Sequence, residues 1–145
     1  MFKHILMPTD GSELSNDAIH RGMQFAKSIN AQVTGIHVIP PFNAVMYGTE
    51  MLGESMEEFE KQSKECAERY LALIETAAKE VGVPCHTLYV TAGRPYEAII
   101  KTAQEKGCDL ILMASHGRRG VEGLLIGSET TRVLTHTKLP VLVFR

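Results

Sequence analysis

Tryptophan is absent, and five Phe and four Tyr make up the whole aromatic complement of 145 residues. That leaves few platforms on which a nucleic acid's bases would stack. Neither charge sign dominates: fifteen Lys and Arg stand against seventeen Asp and Glu, a formal net charge of −2. Dedicated nucleic-acid binders are normally strongly basic, so no nucleic-acid partner is expected. Cysteine is scarce, and Cys66, Cys85 and Cys108 form no C-x-x-C pair. Neither a disulfide framework nor a zinc knuckle is indicated, and reduced thiols of a cytosolic protein are the simplest reading. The apolar runs fall far short of the roughly 20 residues that a membrane-spanning helix needs. Ile5-Leu6-Met7 stops at Pro8, too short for the apolar region of a signal peptide. A cytoplasmic location with no membrane contact is expected.

The standard nucleotide motifs are also missing. No G-x-x-x-x-G-K-[ST] occurs and no G-x-G-x-x-G follows the first strand, which sets aside P-loop chemistry and hydride transfer with a dinucleotide. His4, His20, His37, His86, His116 and His136 are dispersed with no H-x3-H spacing, so structural or surface roles outweigh metal binding. The seven methionines fall mostly on apolar faces and read as core filler.

What is present alternates between two kinds of segment. Short apolar runs at Ile5–Met7, Val33–Ile39, Leu88–Val90, Leu110–Ala114 and Val141–Phe144 suit parallel strands buried on both faces. Between them lie stretches with helical spacing. Over 55–81, Met56, Phe59, Ser63, Cys66, Tyr70, Leu73, Ala77 and Val81 form one stripe. Ser55 with Glu58 fits a capping box at its start, and Gly82 with Pro84 gives the stop. Ala18, Gly22, Ala26 and Ile29 mark a helix after the polar start Ser12–Ser15. A third begins at Pro95 and ends at Gly107, and a fourth begins near Ser128 and stops before Pro140. Four helices between five strands predict a single α/β domain over 1–145, with a five-stranded parallel sheet and two helices on each face. A chain of this length buries about 68–70% of its unfolded surface, enough for one core without staples.

Two connections stand out. Residues 40–54 read as a long mobile loop, of a length that is usually functional or disordered. Residues 115–127, SHGRRGVEGLLIG, hold four glycines. Charge is uneven as well: residues 50–69 carry seven acids against three bases, whereas 114–145 carry five bases against two acids. The acidic helix reads as a solvated face. The basic excess coincides with the glycines.

In an open parallel sheet, ligands bind beyond the carboxyl ends of the strands, at the switch point in strand order. The segments leaving the first and fourth strands are Pro8-Thr9-Asp10-Gly11-Ser12 and Ala114-Ser115-His116-Gly117. The second continues into Arg118-Arg119-Gly120 and reaches Gly127-Ser128 at a helix start. Glycines admit backbone N–H groups close to an anion, helix starts present free donors, and Arg118 and Arg119 add charge. The physical reading is a phosphate cradle; a glycine-rich connection without ligand is the plain alternative.

At this loop the sequence resembles the universal stress proteins, whose nucleotide-binding branch carries G-x2-G-x9-G-[ST] after the fourth strand. Here the pattern reads Ala114-x2-Gly117-x9-Gly127-Ser128. The likeness spans the chain, including Ile5-Leu6-Met7-Pro8-Thr9-Asp10-Gly11-Ser12, His37-Val38, Met113 through Gly117, and Leu139 through Val143. It implies a sheet of order 3-2-1-4-5, as in adenine nucleotide alpha hydrolase-like and other Rossmann-like folds, with ATP, ADP or AMP, with or without Mg, across strands one and four. The residue matching Asp10, with Pro8 and Thr9 before it, would lie beside base and ribose. The Val38 backbone would read the adenine edge, and Met113 would help form the pocket. Gly117, Gly127 and Ser128 would hold phosphates, with His116, Arg118 and Arg119 beside them. It further implies a homodimer formed by Val141, Leu142, Val143 and Phe144 of the fifth strand, an edge without protecting charge.

Ala114 departs from the family's first glycine. A positive φ there would cost about 1 kcal/mol or slightly more, whereas a negative φ would let Ala114 end the strand with its methyl merely crowding the ribose; 1.4 kcal/mol is about tenfold in affinity. The expected role is a stress-response sensor or regulator rather than an enzyme, with slow ATP hydrolysis still compatible. A family member acting only through dimer and protein contacts is the alternative. Met113 through Gly117 also has the placement of a nucleophile elbow, but without its first glycine and without an acid in the expected order.

Overall fold

The computed structural model describes residues 1–42, 56–117 and 126–145. In chain order these form β1 (His4–Pro8), α1 (Glu13–Ser28), β2 (Gln32–Ile39), α2 (Met56–Val81), β3 (Cys85–Thr91), α3 (Pro95–Glu105), β4 (Leu110–Ala114), α4 (Ser128–His136) and β5 (Val141–Phe144). All pairings are parallel and the sheet order is β3-β2-β1-β4-β5, as the resemblance implies. Ile5 aligns with Val33 on one side and Leu110 on the other, so β1 is central.

Strand alternation divides the core in two. Ile5, Met7, Val33, Leu110 and Leu112 face α1 and α2, where they meet Ile19, Met23, Leu71 and Ile74. Leu6, Ile36, Ile111 and Met113 face α3 and α4, against Ile99, Ala103 and Val133. Two helices on each face follow from this. The central runs are apolar at every position because both faces are covered. β4 is buried throughout, whereas β3 and β5 sit at the edges and are only half-buried. The edge position also explains why β3 runs from Cys85 to Thr91, beyond the apolar Leu88–Val90: His86 and Thr87 take ladder positions with solvent on one side.

Local signals set the helix limits. Ser12 caps α1, its Oγ accepting from the Ser15 N–H at 3.2 Å, with Glu13 in the first turn and Lys27 in the last to complement the dipole. Pro95 opens α3. Gly82, directly after α2, and Gly107, just past the Lys106 C-cap of α3, take φ of +74° and +69°. On α2 the expected stripe is displaced. Ala67, Leu71, Ile74, Ala77 and Ala78 form the buried face, Ser63, Cys66, Tyr70 and Val81 flank it, and Met56 and Leu73 are exposed. Leu71 and Ile74 of this face reach into the core shared with α1, with Ala77 and Ala78 packed beside them. The Ser55 capping box and most of the 40–54 loop lie outside the described residues. Among the described residues no helix is long and apolar enough to cross a membrane.

Candidate functional site

The chain leaves β1 toward β2 on one side, and β4 pairs on its other side, so the strand order reverses between β1 and β4. In open parallel sheets this reversal of strand order is where ligands bind, because the two connections diverge. Thr9, just past β1, is buried, and its N–H donates to Ile36 C=O at 2.9 Å. Thr9 Oγ1 accepts the Gly11 N–H at 3.1 Å, shaping the turn into α1. Asp10 Oδ1 accepts from Ser12 N–H at 3.0 Å and Ser15 Oγ at 2.9 Å. This carboxylate oxygen therefore sits on the first turn of α1, where a negative charge is favoured. Asp10 Oδ2 lies so close to Gly117 that a Cβ on Gly117 would overlap it. Asp10 thus bridges the two connections.

On the β4 side, Met113 and Ala114 are 7% and 6% exposed, at the end of the strand. Among the described residues only Asn30 combines a side chain beyond glycine with positive φ, so Ala114 carries no left-handed strain. Of the two outcomes open at this position, the costly one is removed: Ala114 ends the strand, and its methyl adds only bulk. Its carbonyl accepts a hydrogen bond from the buried Thr130 Oγ1 at 2.9 Å, tying α4 to β4. Ser115 N–H donates to Phe144 C=O at 2.7 Å and Ser115 C=O accepts from Gly127 N–H at 2.6 Å. These bonds place Gly127 and Ser128, the start of α4, directly beside His116. A Cβ on Gly127 would fall 3.2 Å from both His116 Cα and Ser115 O. Gly127 is required by close approach, since its own φ of −71° suits any residue.

His116 Nδ1 lies 3.0 Å from Ser115 Oγ. Its Nε2 is buried and has no hydrogen-bond partner among the described residues. Buried polar atoms are rarely left so, and the exceptions are often where a ligand or ion belongs. Helix starts such as that of α4 attract anions through free N–H groups and the helix dipole.

Of the expected site residues, Pro8, Thr9, Asp10, Met113, Ala114, His116, Gly117, Gly127 and Ser128 come together at the carboxyl ends of β1 and β4. Val38 lies one strand away, one residue before the end of β2 and opposite Val90. Arg118 and Arg119 lie outside the described residues. His37 and Tyr70 were not anticipated here. His37 Nδ1–H donates to Thr9 C=O at 2.8 Å, and its ring stands edge-on to Tyr70 with centroids 5.1 Å apart. The Tyr70 ring lies against Gly11, whose φ of +77° admits no ordinary side chain. Alternation along β2 would have pointed His37 at α2, but the meeting with Tyr70 depends on how α2 docks.

The nucleophile-elbow reading fails on geometry. Ser115 is 3% exposed and bonded to its own neighbour. His136 sits at the far end of α4, about 12 Å along its axis, with Nδ1–H donating to Arg132 C=O at 2.8 Å.

The family model for the Universal stress protein family matches residues 1–145. Universal stress protein MJ0531 of Methanocaldococcus jannaschii is 34% identical over 145 residues, covering 100% of this chain and 83% of that protein. The solved structure of MJ0577 from the same organism superposes with a TM-score of 0.82 at 31% identity, covering 99% of this chain and 95% of the other. A universal stress protein family protein from Arabidopsis thaliana, solved with AMP bound, shares the fold with a TM-score of 0.68 at 15% identity, covering 98% and 90%. The chain belongs to the universal stress protein family.

Proposed function

We propose that this protein binds an adenine nucleotide, ATP or its ADP and AMP relatives, across the carboxyl ends of β1 and β4. Its role on this reading is that of a stress-response sensor or regulator and not of an enzyme. The observation that carries the reading is the buried Nε2 of His116, unpartnered among the described residues, beside the first turn of α4. Gly127 packs that turn directly against His116, where a Cβ would fall 3.2 Å from the His116 Cα. The phosphates would meet Gly117, Gly127 and Ser128, with Arg118 and Arg119 supplying charge. The base would lie toward Val38 and Met113, and the ribose by Thr9 and Asp10. An AMP complex of the same fold, in the Arabidopsis protein, supports the choice of ligand class.

The test is mass spectrometry of small molecules released from the purified protein, together with a thermal shift on adding MgATP. Released adenine nucleotide and a rise in Tm are expected. No nucleotide and no shift at millimolar MgATP would overturn the reading.

The same family also supports a homodimer through β5. Val141, Leu142, Val143 and Phe144 are each half-buried in the single chain, and the strand is a sheet edge. Arg21 of α1 lies over the Phe144 ring, 4.2 Å from its centroid, so one face of this edge does carry a charge that the strand's own sequence lacks. The strand's outer backbone groups would pair with a second copy. Light scattering after gel filtration is expected to give a dimer for the parent and a monomer for Val143→Lys; a monomeric parent removes the dimer.

The alternative is a member that acts through protein contacts alone. One observation favours it: Asp10 is already committed, Oδ1 to Ser12 and Ser15 and Oδ2 against Gly117, where a ribose would compete. The same release and thermal-shift measurements separate the two.

A further inference from the structure

His116 and Ser115 form a pair whose chemistry goes beyond membership of a pocket. Ser115 Oγ and His116 Nδ1 are 3.0 Å apart, and two hydrogen placements satisfy that distance. Either the hydroxyl donates to a bare Nδ1, leaving the ring hydrogen on Nε2, or Nδ1–H donates to the hydroxyl oxygen. The surroundings discriminate between them. Ser115 is 3% exposed, and its hydroxyl has no other hydrogen-bond partner among the described residues. If Nδ1–H donated, the buried hydroxyl hydrogen would have no acceptor and Nε2 would present an unused lone pair. Two polar groups would then be orphaned. With the hydroxyl donating, one remains, the Nε2–H. Each buried orphan is costly, so the arrangement in which the hydroxyl donates to Nδ1 prevails.

The position of that one remaining donor completes the case. Cδ2, the ring carbon bonded to Nε2, lies 3.5 Å from where a Cβ on Gly127 would stand. The imidazole edge therefore flanks the first turn of α4, where Gly127 N–H is already used by Ser115 C=O and the following N–H groups belong to the helix start. A neutral N–H beside such donors converges with them on a single acceptor, as an anionic oxygen provides.

We propose that Ser115 is a positioning residue that holds His116 as the Nε2–H tautomer, and that this Nε2–H donates to a phosphate oxygen of the bound nucleotide. The inference rests on the nucleotide reading above and names the group within that site that distinguishes a nucleotide from its nucleoside. Ser115 never touches the ligand. It acts through the ring, as hydrogen bonds at one imidazole nitrogen set the role of the other.

The test combines nitrogen NMR of the imidazoles with calorimetric titration of ATP and of adenosine, which has no phosphate. Spectra correlating ring nitrogens with carbon-bound protons identify the tautomer in the protein without ligand, and His116→Phe assigns the signal by its disappearance. The parent is expected to show His116 as Nε2–H. His116→Phe and Ser115→Ala are expected to weaken ATP by about tenfold to a hundredfold, the loss of one hydrogen bond to a charged group, and to leave adenosine unchanged. Ser115→Ala should also shift the His116 signal toward a tautomer mixture, a change that a purely structural serine would not produce. An Nδ1–H tautomer in the parent, ATP binding undiminished in both variants, or equal losses for ATP and adenosine would each overturn this proposal while leaving the nucleotide reading standing. A parent that binds neither ligand removes both.

Discussion

Replacing Gly127 with alanine sets two measurable effects against each other at the centre of the site. Gly127 has φ −71° and ψ 165°, extended backbone that alanine adopts freely. On that ground alone the substitution would stabilise by about 0.4–1 kcal/mol, through the lost freedom of the unfolded chain. The added methyl, however, would stand 3.2 Å from His116 Cα and from Ser115 O. Both are backbone atoms, so no rotamer change relieves the contact. Overpacking of this kind costs about 1–3 kcal/mol. Repulsion is the larger effect, and a net loss of roughly 1–2 kcal/mol is expected. At about 2–4 °C per kcal/mol for a chain of this size, Tm should fall by roughly 2–8 °C. Relief of the contact requires α4 to move away from Ser115, lengthening the 2.6 Å bond from Gly127 N–H and displacing the helix start from His116. ATP affinity should then drop by about tenfold, equivalent to 1.4 kcal/mol. Urea unfolding measures the first effect and calorimetric titration the second. A Gly127→Ala protein more stable than its parent, with ATP affinity intact, would refute the packing argument and the site together.

Three further outcomes follow from the same structure. Thr130→Val removes the hydroxyl that donates to Ala114 C=O at 2.9 Å in a buried setting; a loss of about 1–3 kcal/mol in urea unfolding is expected, and an unchanged midpoint would show that this bond does not anchor α4. His4 titrates below the ordinary histidine range, chiefly because burial disfavours the imidazolium, with His86 adding to this and Asp109 and the Lys106 carbonyl opposing. The unfolded chain then binds the proton more tightly, so stability is fully present above about pH 6.5 and declines as pH falls below it. Urea midpoints at about pH 7.5 and pH 5.5 should show this decline, and His4→Gln should flatten it. Finally, burial pushes the Cys85 thiol up to about 11, with Glu75 contributing, and the Cys108 thiol up to about 11, with Asp109 contributing. Native protein at about pH 8 should therefore react slowly with a thiol reagent at both positions, whereas denatured protein reacts at all three cysteines; fast native labelling of Cys108 would contradict its placement.

Most of the architecture was legible in the chain itself. Uninterrupted apolar runs at Ile5–Met7 and Leu110–Ala114 specify strands covered on both faces, because only a strand between two helical layers has no polar side to show. Ser12, Pro95, Gly82 and Gly107 set helix limits through local hydrogen bonding and backbone conformation alone. Likewise, the glycines and small polar residues after the first and fourth strands marked the candidate site, since close backbone approach needs those residue types wherever the chain runs.

Other features required the folded chain. Along α2 the residues chosen from spacing as the buried stripe include Met56 and Leu73, which are exposed, while Ala67, Leu71 and Ile74 are buried. Helical periodicity defines a face only to within about one residue's rotation, and the docking against α1 and β2 selected among the candidates. No local pattern pairs His37 with Tyr70, because their contact joins β2 to a distant turn of α2. Nor does sequence say whether Ala114 stands in for glycine at a strained position. The backbone conformation at the end of β4, extended and paired with Phe144, answers that. So too with His116: its identity is written in the chain, but the burial of its Nε2 and its approach to the start of α4 are features of the folded structure. Residue type and spacing determined which chemistry was available; packing between elements remote in sequence decided which atoms were left to perform it.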